Sequence, residues 1–261
     1  MLKNPIIETM MNRKSIRKYS DKLPSNEELT TIVQAGQQAP FAYQLCSVLL
    51  SRKKNKNPFG SPWLFTICLD ANRLEKIMAQ RNWKVASNDI AFLIFGIQDA
   101  SLMAENMVIA AESLGLGSCF IGSTPYIAKS IIKKYKLPKR VFPIVQLTMG
   151  YPAEDPTTRP RYPLEFTLFE DKYPEFDENI INKAMTEMDE GYLDQEYYRC
   201  ANFMIPLEGD RKETFDFTNY SWTEHISRKA GQWDPFPDDL VEQLAACGFH
   251  IPVKQNKYNE N

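Results

Sequence analysis

Apolar and polar positions alternate along this chain with two different periods. Ile6, Ile7, Met10 and Met11 recur at helical spacing and predict a short helix over residues 5–12. Ser25-Asn26-Glu27-Glu28 has the form of a capping box, in which a hydroxyl and a carboxylate satisfy the free N–H groups of a first turn. The helix it opens carries Leu29, Ile32, Val33 and Ala35 and stops at Pro40. Residues 47–51 read as a strand, 52–56 as a solvated loop, and 63–69 as a second, nearly continuous apolar strand followed by a helix over 72–81. Residues 90–114 are the most apolar stretch, where Ala100, Met103, Ala104, Met107, Ala110, Ala111 and Leu114 form a wide helical stripe. Gly115-Leu116-Gly117 ends it, and residues 118–121 resume as a short strand closing at Gly122. A helix over 127–134 and a clear strand over 143–149 follow. Strands separated by helices argue for α/β or α+β, with helices covering a central sheet. From residue 173 the texture becomes acidic and aromatic. This predicts a first domain over 1–172 and a helical extension over 173–261 that carries Tyr192, Tyr197, Tyr198, Trp222 and Trp233.

Composition narrows the function. At 261 residues, 43% hydrophobic and 25% charged, the chain reads as a packed soluble protein rather than a disordered one. A net charge of −2 without a long basic run argues against nucleic-acid binding. The five scattered cysteines include no C-x-x-C pair and fit a reducing cytoplasm. The first residues lack the apolar core of a secretory leader, and charged or amide side chains interrupt every long apolar run, so no membrane association is expected.

The familiar catalytic devices are missing. There is neither a G-x-G-x-x-G after a strand nor a P-loop, and Gly122-Ser123-Thr124 is not a hydrolase elbow. His225 and His250 lie near neither each other nor a cysteine pair, so no zinc site is expected. Two cationic clusters stand out instead. Arg13-Lys14-Ser15-Ile16-Arg17 places two guanidinium forks four residues apart, one helical turn, with a hydroxyl between them. Arg159-Pro160-Arg161 follows much later. Such forks suit phosphate oxygens. A chain this poor in catalytic side chains but rich in phosphate-competent arginines points to a bound organic cofactor.

Four ordered blocks across residues 10–165 resemble the FMN-dependent nitroreductase family, a group of NAD(P)H nitroreductases and flavin reductases. They are Arg13–Tyr19, Ala39-Pro40, Asp99…Asn106 leading to Ser113–Gly122, and Gly150–Glu154 with Arg159-Pro160-Arg161. The resemblance implies an α+β fold with a mostly antiparallel central sheet flanked by helices, built as an intertwined homodimer with one FMN at each of two equivalent sites. It implies that Arg13, Ser15 and Arg17, with Lys14 beside them, grip the phosphate and ribityl chain, and that Arg159 and Arg161 add phosphate contacts. Pro40, Phe41, Ala42 and Gln44 would border the flavin, the Gln44 amide pairing with ring polar atoms. Ile121 and Gly122 would pass a flavin face, where a missing Cβ permits close approach. Many members continue Ala-Pro with a Ser/Thr-x-x-Asn-x-Gln-Pro-Trp stretch. Here it is Phe41-Ala42-Tyr43-Gln44-Leu45-Cys46, which alters the pocket.

The activity implied is ping-pong electron transfer from NAD(P)H through the flavin to nitroaromatics, quinones or free flavins, without a side-chain acid. Two other readings stay open: a reductive dehalogenase or ene-type reductase of the same family, and an FMN-binding store or sensor without turnover.

Overall fold

The computed structural model describes residues 2–86, 88–232 and 237–251. The chain divides into two compact units, Met1–Pro156 with Pro237–Asn261, and Thr157–Phe236. This cut differs from the one expected at 172/173. The texture change at 173 marked a loss of strand signals, whereas contacts divide the chain earlier and return its last helix to the first unit.

In the first unit, α1 (Pro5–Asn12) leads through an irregular segment to α2 (Asn26–Gln37), whose capping box is complete: Ser25 accepts from the Glu28 N–H and Glu28 from the Ser25 N–H. Then follow β1 (Cys46–Ser51), β2 (Trp63–Asp70), α3 (Ala71–Gln80), α4 (Asp89–Ser113), β3 (Gly117–Ile121), α5 (Ala128–Tyr135) and β4 (Val141–Gly150). The strands form one antiparallel sheet in the order β1-β2-β4-β3, so the fold is α+β. Every residue of β2 is buried, which accounts for its unbroken apolar run. Pro143, which cannot donate to a ladder, is placed where the β2–β4 register shifts between Ile67 and Cys68.

The core gathers Trp63, Phe65 and Ile67 of β2, Leu147 and Met149 of β4, Ile32 of α2, and Met103, Met107 and Ala111 of α4. Burying one such side chain contributes about 1.5–3 kcal/mol. By length and composition α4 is apolar enough to cross a bilayer. Within its unit it buries Phe92, Gly96, Asp99, Met103 and Met107, while Ile90, Ile94 and Ile97, one helical stripe, stay 45–51% exposed.

The second unit holds α6 (Glu178–Asp194), α7 (Tyr197–Ala201) and α8 (Trp222–Gln232). Its interior is aromatic and ionic. His225 stacks on Tyr198 at 4.7 Å, and Arg228, 4% exposed, pairs with Glu213 and Glu224 at 2.7 Å each. Trp222 packs edge-on against Tyr162. Trp233 lies outside the described residues. The first unit closes with α9 (Pro237–Ala246), after which buried Cys247 and Phe249 join a cluster with Leu69, Phe92 and Phe142.

Candidate active site

Residues 13–20 are not helical, so the one-turn argument for Arg13 and Arg17 does not hold. Helix α1 ends at Arg13, whose ψ of 132° turns the chain into an extended path. Extended chain repeats every second residue, and that period sets Arg13, Ser15 and Arg17 against buried Ile16. The segment lies along the sheet edge. Ser15 bridges to Ser118, the Ile16 N–H donates to the Ser118 carbonyl at 2.8 Å, and the Ser20 N–H donates to Tyr151. Ile16 needs room that only a glycine leaves, since a Cβ on Gly117 would lie 2.4 Å from Ile16 Cγ1. The Tyr19 hydroxyl donates to the Ile16 carbonyl at 2.7 Å and meets Thr148 at 2.8 Å, and burial pushes its pKa up. Glu154 accepts the Arg17 and Lys18 N–H groups, and Lys14 is ion-paired with Asp155.

Three polar side-chain atoms in and around this segment are left with unmet capacity. Arg13 Nη1, Ser118 Oγ and Glu112 Oε1 are buried without a hydrogen-bond partner among the described residues. Burial raises the Glu112 pKa to about 7, although Arg13 and Lys14 pull it the other way. A buried guanidinium nitrogen without a hydrogen bond is costly unless an acceptor arrives, even with the Glu112 carboxyl near enough to feel the Arg13 charge.

A second feature of this unit is a cavity of about 540 Å³ lined by Pro40, Phe41 and Gln44, with Val33, Val48, Cys46, Arg73, Asp99 and Met103. Its rim is the loop between α2 and β1. Asp99, 2% exposed, accepts the Ala42 N–H at 2.7 Å, the Tyr43 N–H at 3.2 Å and the Leu45 N–H at 2.8 Å. From the other side Arg73 donates to the Gln44 and Cys46 carbonyls while ion-paired with Asp70 at 3.0 Å. This clamp holds Gln44 at φ +53°, a conformation that costs a non-glycine residue about 1–3 kcal/mol. Burial raises the Cys46 thiol pKa, so Cys46 is a packed thiol rather than a thiolate.

Of the residues singled out in the sequence, Arg13, Ser15 and Arg17 share one stretch of sheet edge, and Pro40, Phe41 and Gln44 share the cavity, with the Ala42 N–H in its clamp. The cavity lining includes no residue of 13–17 and neither Ile121 nor Gly122. Gly122 follows the end of β3, and a Cβ there would meet no protein atom within 4 Å, so packing does not demand the glycine. Arg159 and Arg161 belong to the second unit. Arg159 bonds Gln195 at 2.6 Å and lies 4.0 Å from the Tyr197 ring centroid, and Arg161 donates to the Arg159 and Pro160 carbonyls. Sequence reasoning missed the roles of Asp99 and Arg73. A carboxylate inside the most apolar stretch of the chain was the available signal, because a buried charge requires donors.

A model described as the nitroreductase family matches residues 47–151. A CR(VI) reductase from Pseudomonas sp. (strain G-1) is 31% identical over 246 residues, covering 87% of this chain and 98% of its own. The chain belongs to the nitroreductase family. Within that family the FMN reductase (NADPH) of Bacillus subtilis is 29% identical across 99% of this chain and 100% of its own. The structure of Bacillus megaterium NfrA2 aligns over 96% of this chain and 100% of that one, with TM-score 0.81 at 24% identity, a likeness of fold. The stretch matched by the nitroreductase model runs from β1 to just beyond β4. It leaves the cationic segment and the α2–β1 loop outside.

Proposed function

We propose that this nitroreductase-family chain is an FMN-dependent oxidoreductase that passes electrons from NAD(P)H to electron-poor acceptors. The observation that carries the reading is the orphaned Nη1 of Arg13, buried in a segment that also offers the Ser15 hydroxyl and the Arg17 guanidinium. That donor set fits a dianionic phosphate. FMN, when bound, supplies the two-electron chemistry that no side chain here can supply.

The chain's own residues then have separable tasks. Arg13, Ser15 and Arg17 hold the phosphate and ribityl chain, with Lys14 steadied by Asp155 alongside. Gln44 offers an amide to ring polar atoms from its clamped loop, and Pro40, Phe41 and Ala42 wall the cavity. The open space at Gly122, with Ile121 before it, leaves backbone exposed to a flat ring. Solvent supplies the proton. If nicotinamide and acceptor occupy the same space in turn, the kinetics are ping-pong.

The separation of cationic segment and cavity within one chain supports a homodimer in which each site draws on both subunits. The exposed Ile90–Ile94–Ile97 stripe supplies an apolar contact face. The free thiols, four of them at least half-buried, fit a cytoplasmic setting.

The test is FMN affinity by fluorescence titration. Arg13→Ala and Arg17→Ala are each expected to weaken it about tenfold or more, the value of a charge-assisted hydrogen bond. Unchanged affinity in both would overturn the assignment.

A further inference from the structure

The three unpartnered polar atoms around the cationic segment come from three elements that pack together. Arg13 closes α1, Glu112 stands in the last turn of α4, and Ser118 lies near the start of β3. Helix α1 packs on α4, and the bridge from Ser15 to Ser118 draws the segment onto β3. Arg13 and Glu112 feel each other's charge, yet Arg13 Nη1 and Glu112 Oε1 are both buried and not bonded to each other. A phosphate would satisfy the guanidinium and the Ser118 hydroxyl. It would not suit a carboxylate, because a dianion beside Glu112 adds like charge and one more acceptor. A neutral carboxylic acid removes that conflict, since its O–H can donate. Burial already holds the Glu112 pKa at about 7, so this proton exchanges near neutrality. Arg13 and Lys14 favour the carboxylate, and Glu105 on the same helix favours the acid. Of the other carboxylates on packed helices, Glu8 and Glu27 are exposed, and Glu28 is taken up by Ser25 and Tyr151.

We infer that Glu112 is a proton-exchanging positioning residue beside Arg13, so that the phosphate of FMN is taken up together with a proton from solvent. The inference rests on the proposed FMN site and adds its regulation. The proton bonds to the Glu112 carboxylate, no other bond changes, and it returns to solvent when the phosphate leaves. Bound phosphate favours the protonated acid, so binding and protonation are linked. Affinity is therefore full where Glu112 is already protonated and falls as pH climbs above about 7. A Glu112 that held Arg13 in place by its negative charge would give the opposite slope.

The experiment titrates FMN by fluorescence from about pH 7 to about pH 8.5, where a phosphate monoester, with its second pKa about 6, stays dianionic. Affinity of the parent protein is expected to fall about fivefold across this interval, the size of linkage to one titrating carboxyl. Glu112→Gln, a neutral side chain of the same shape, is expected to vary by less than about twofold. Calorimetry at about pH 8, in buffers of different ionisation enthalpy, is expected to find about half a proton taken up per FMN by the parent and almost none by Glu112→Gln. Parent affinity that stays level or rises with pH, or a fall that persists in Glu112→Gln, overturns the inference and leaves the proposed activity standing. Should Glu112→Gln not fold, the parent's proton count decides: none overturns the inference, and about half a proton supports it. Parent protein that binds no FMN at any of these pH values overturns the proposed function, and the inference with it.

Discussion

Two carboxylates on α4 show how the same side-chain type can be stabilised or strained. Asp99 is fully buried yet accepts three backbone N–H groups, so its charge is solvated by the loop it organises. Asp99→Ala leaves those donors unpaired and is expected to cost about 2–4 kcal/mol in urea unfolding, with Asp99→Asn costing less because one acceptor oxygen remains. Glu112 lacks such help, and burial holds its pKa at about 7 against an ordinary 4.5. As pH rises the unfolded chain gives up this proton first. The fold is therefore unpenalised below 4.5, loses stability as pH climbs through the interval, and carries the full penalty above about 7. Arg13, Lys14 and Glu105 are the charges that act on it. Glu112→Gln is expected to raise the thermal midpoint of the FMN-free protein by about 1–3 °C near pH 8 and to change it little near pH 4. A gain equal at both pH values would contradict this explanation.

At the scale of elements, most of the first unit was legible because burial writes itself into spacing. The capping box at Ser25, the unbroken apolar run of β2 and the small-residue stripe of α4 each reflect a face that must leave water, and each element formed where its pattern lies. The antiparallel order was not legible from spacing, since a strand's pattern does not name its neighbour. The resemblance carried that part. Residues 13–17 were misread for a different reason: a four-residue interval between arginines fits a helical turn, but the same residues also satisfy an extended period. What decides between them is Ile16, which Gly117 admits to the sheet edge. Gly117→Ala is accordingly expected to displace the cationic segment, destabilising the fold by about 1–3 kcal/mol and weakening FMN binding, even though residue 117 offers no side chain to a ligand. Denaturant unfolding and flavin titration check both halves. The clamp by Asp99 and Arg73 was equally hidden, because the accepting carboxylate and the donating guanidinium both lie far along the chain from the loop they hold.

Across the whole molecule, the stretch matched by the nitroreductase family model carries the four-stranded sheet and α4. Oligomerisation belongs to this scale as well. The stripe of Ile90, Ile94 and Ile97 is expected to be covered by a second copy of the chain, so replacing Ile94 and Ile97 by Glu should shift sedimentation from dimer to monomer and reduce turnover with it. The most direct test of the central claim is to load the protein with FMN under anaerobic conditions, add NAD(P)H, and follow the visible flavin band before and after menadione. The band should bleach with the nicotinamide and return with the quinone. A protein that takes up no FMN, or whose bound FMN stays oxidised in the presence of both NADH and NADPH, would contradict it.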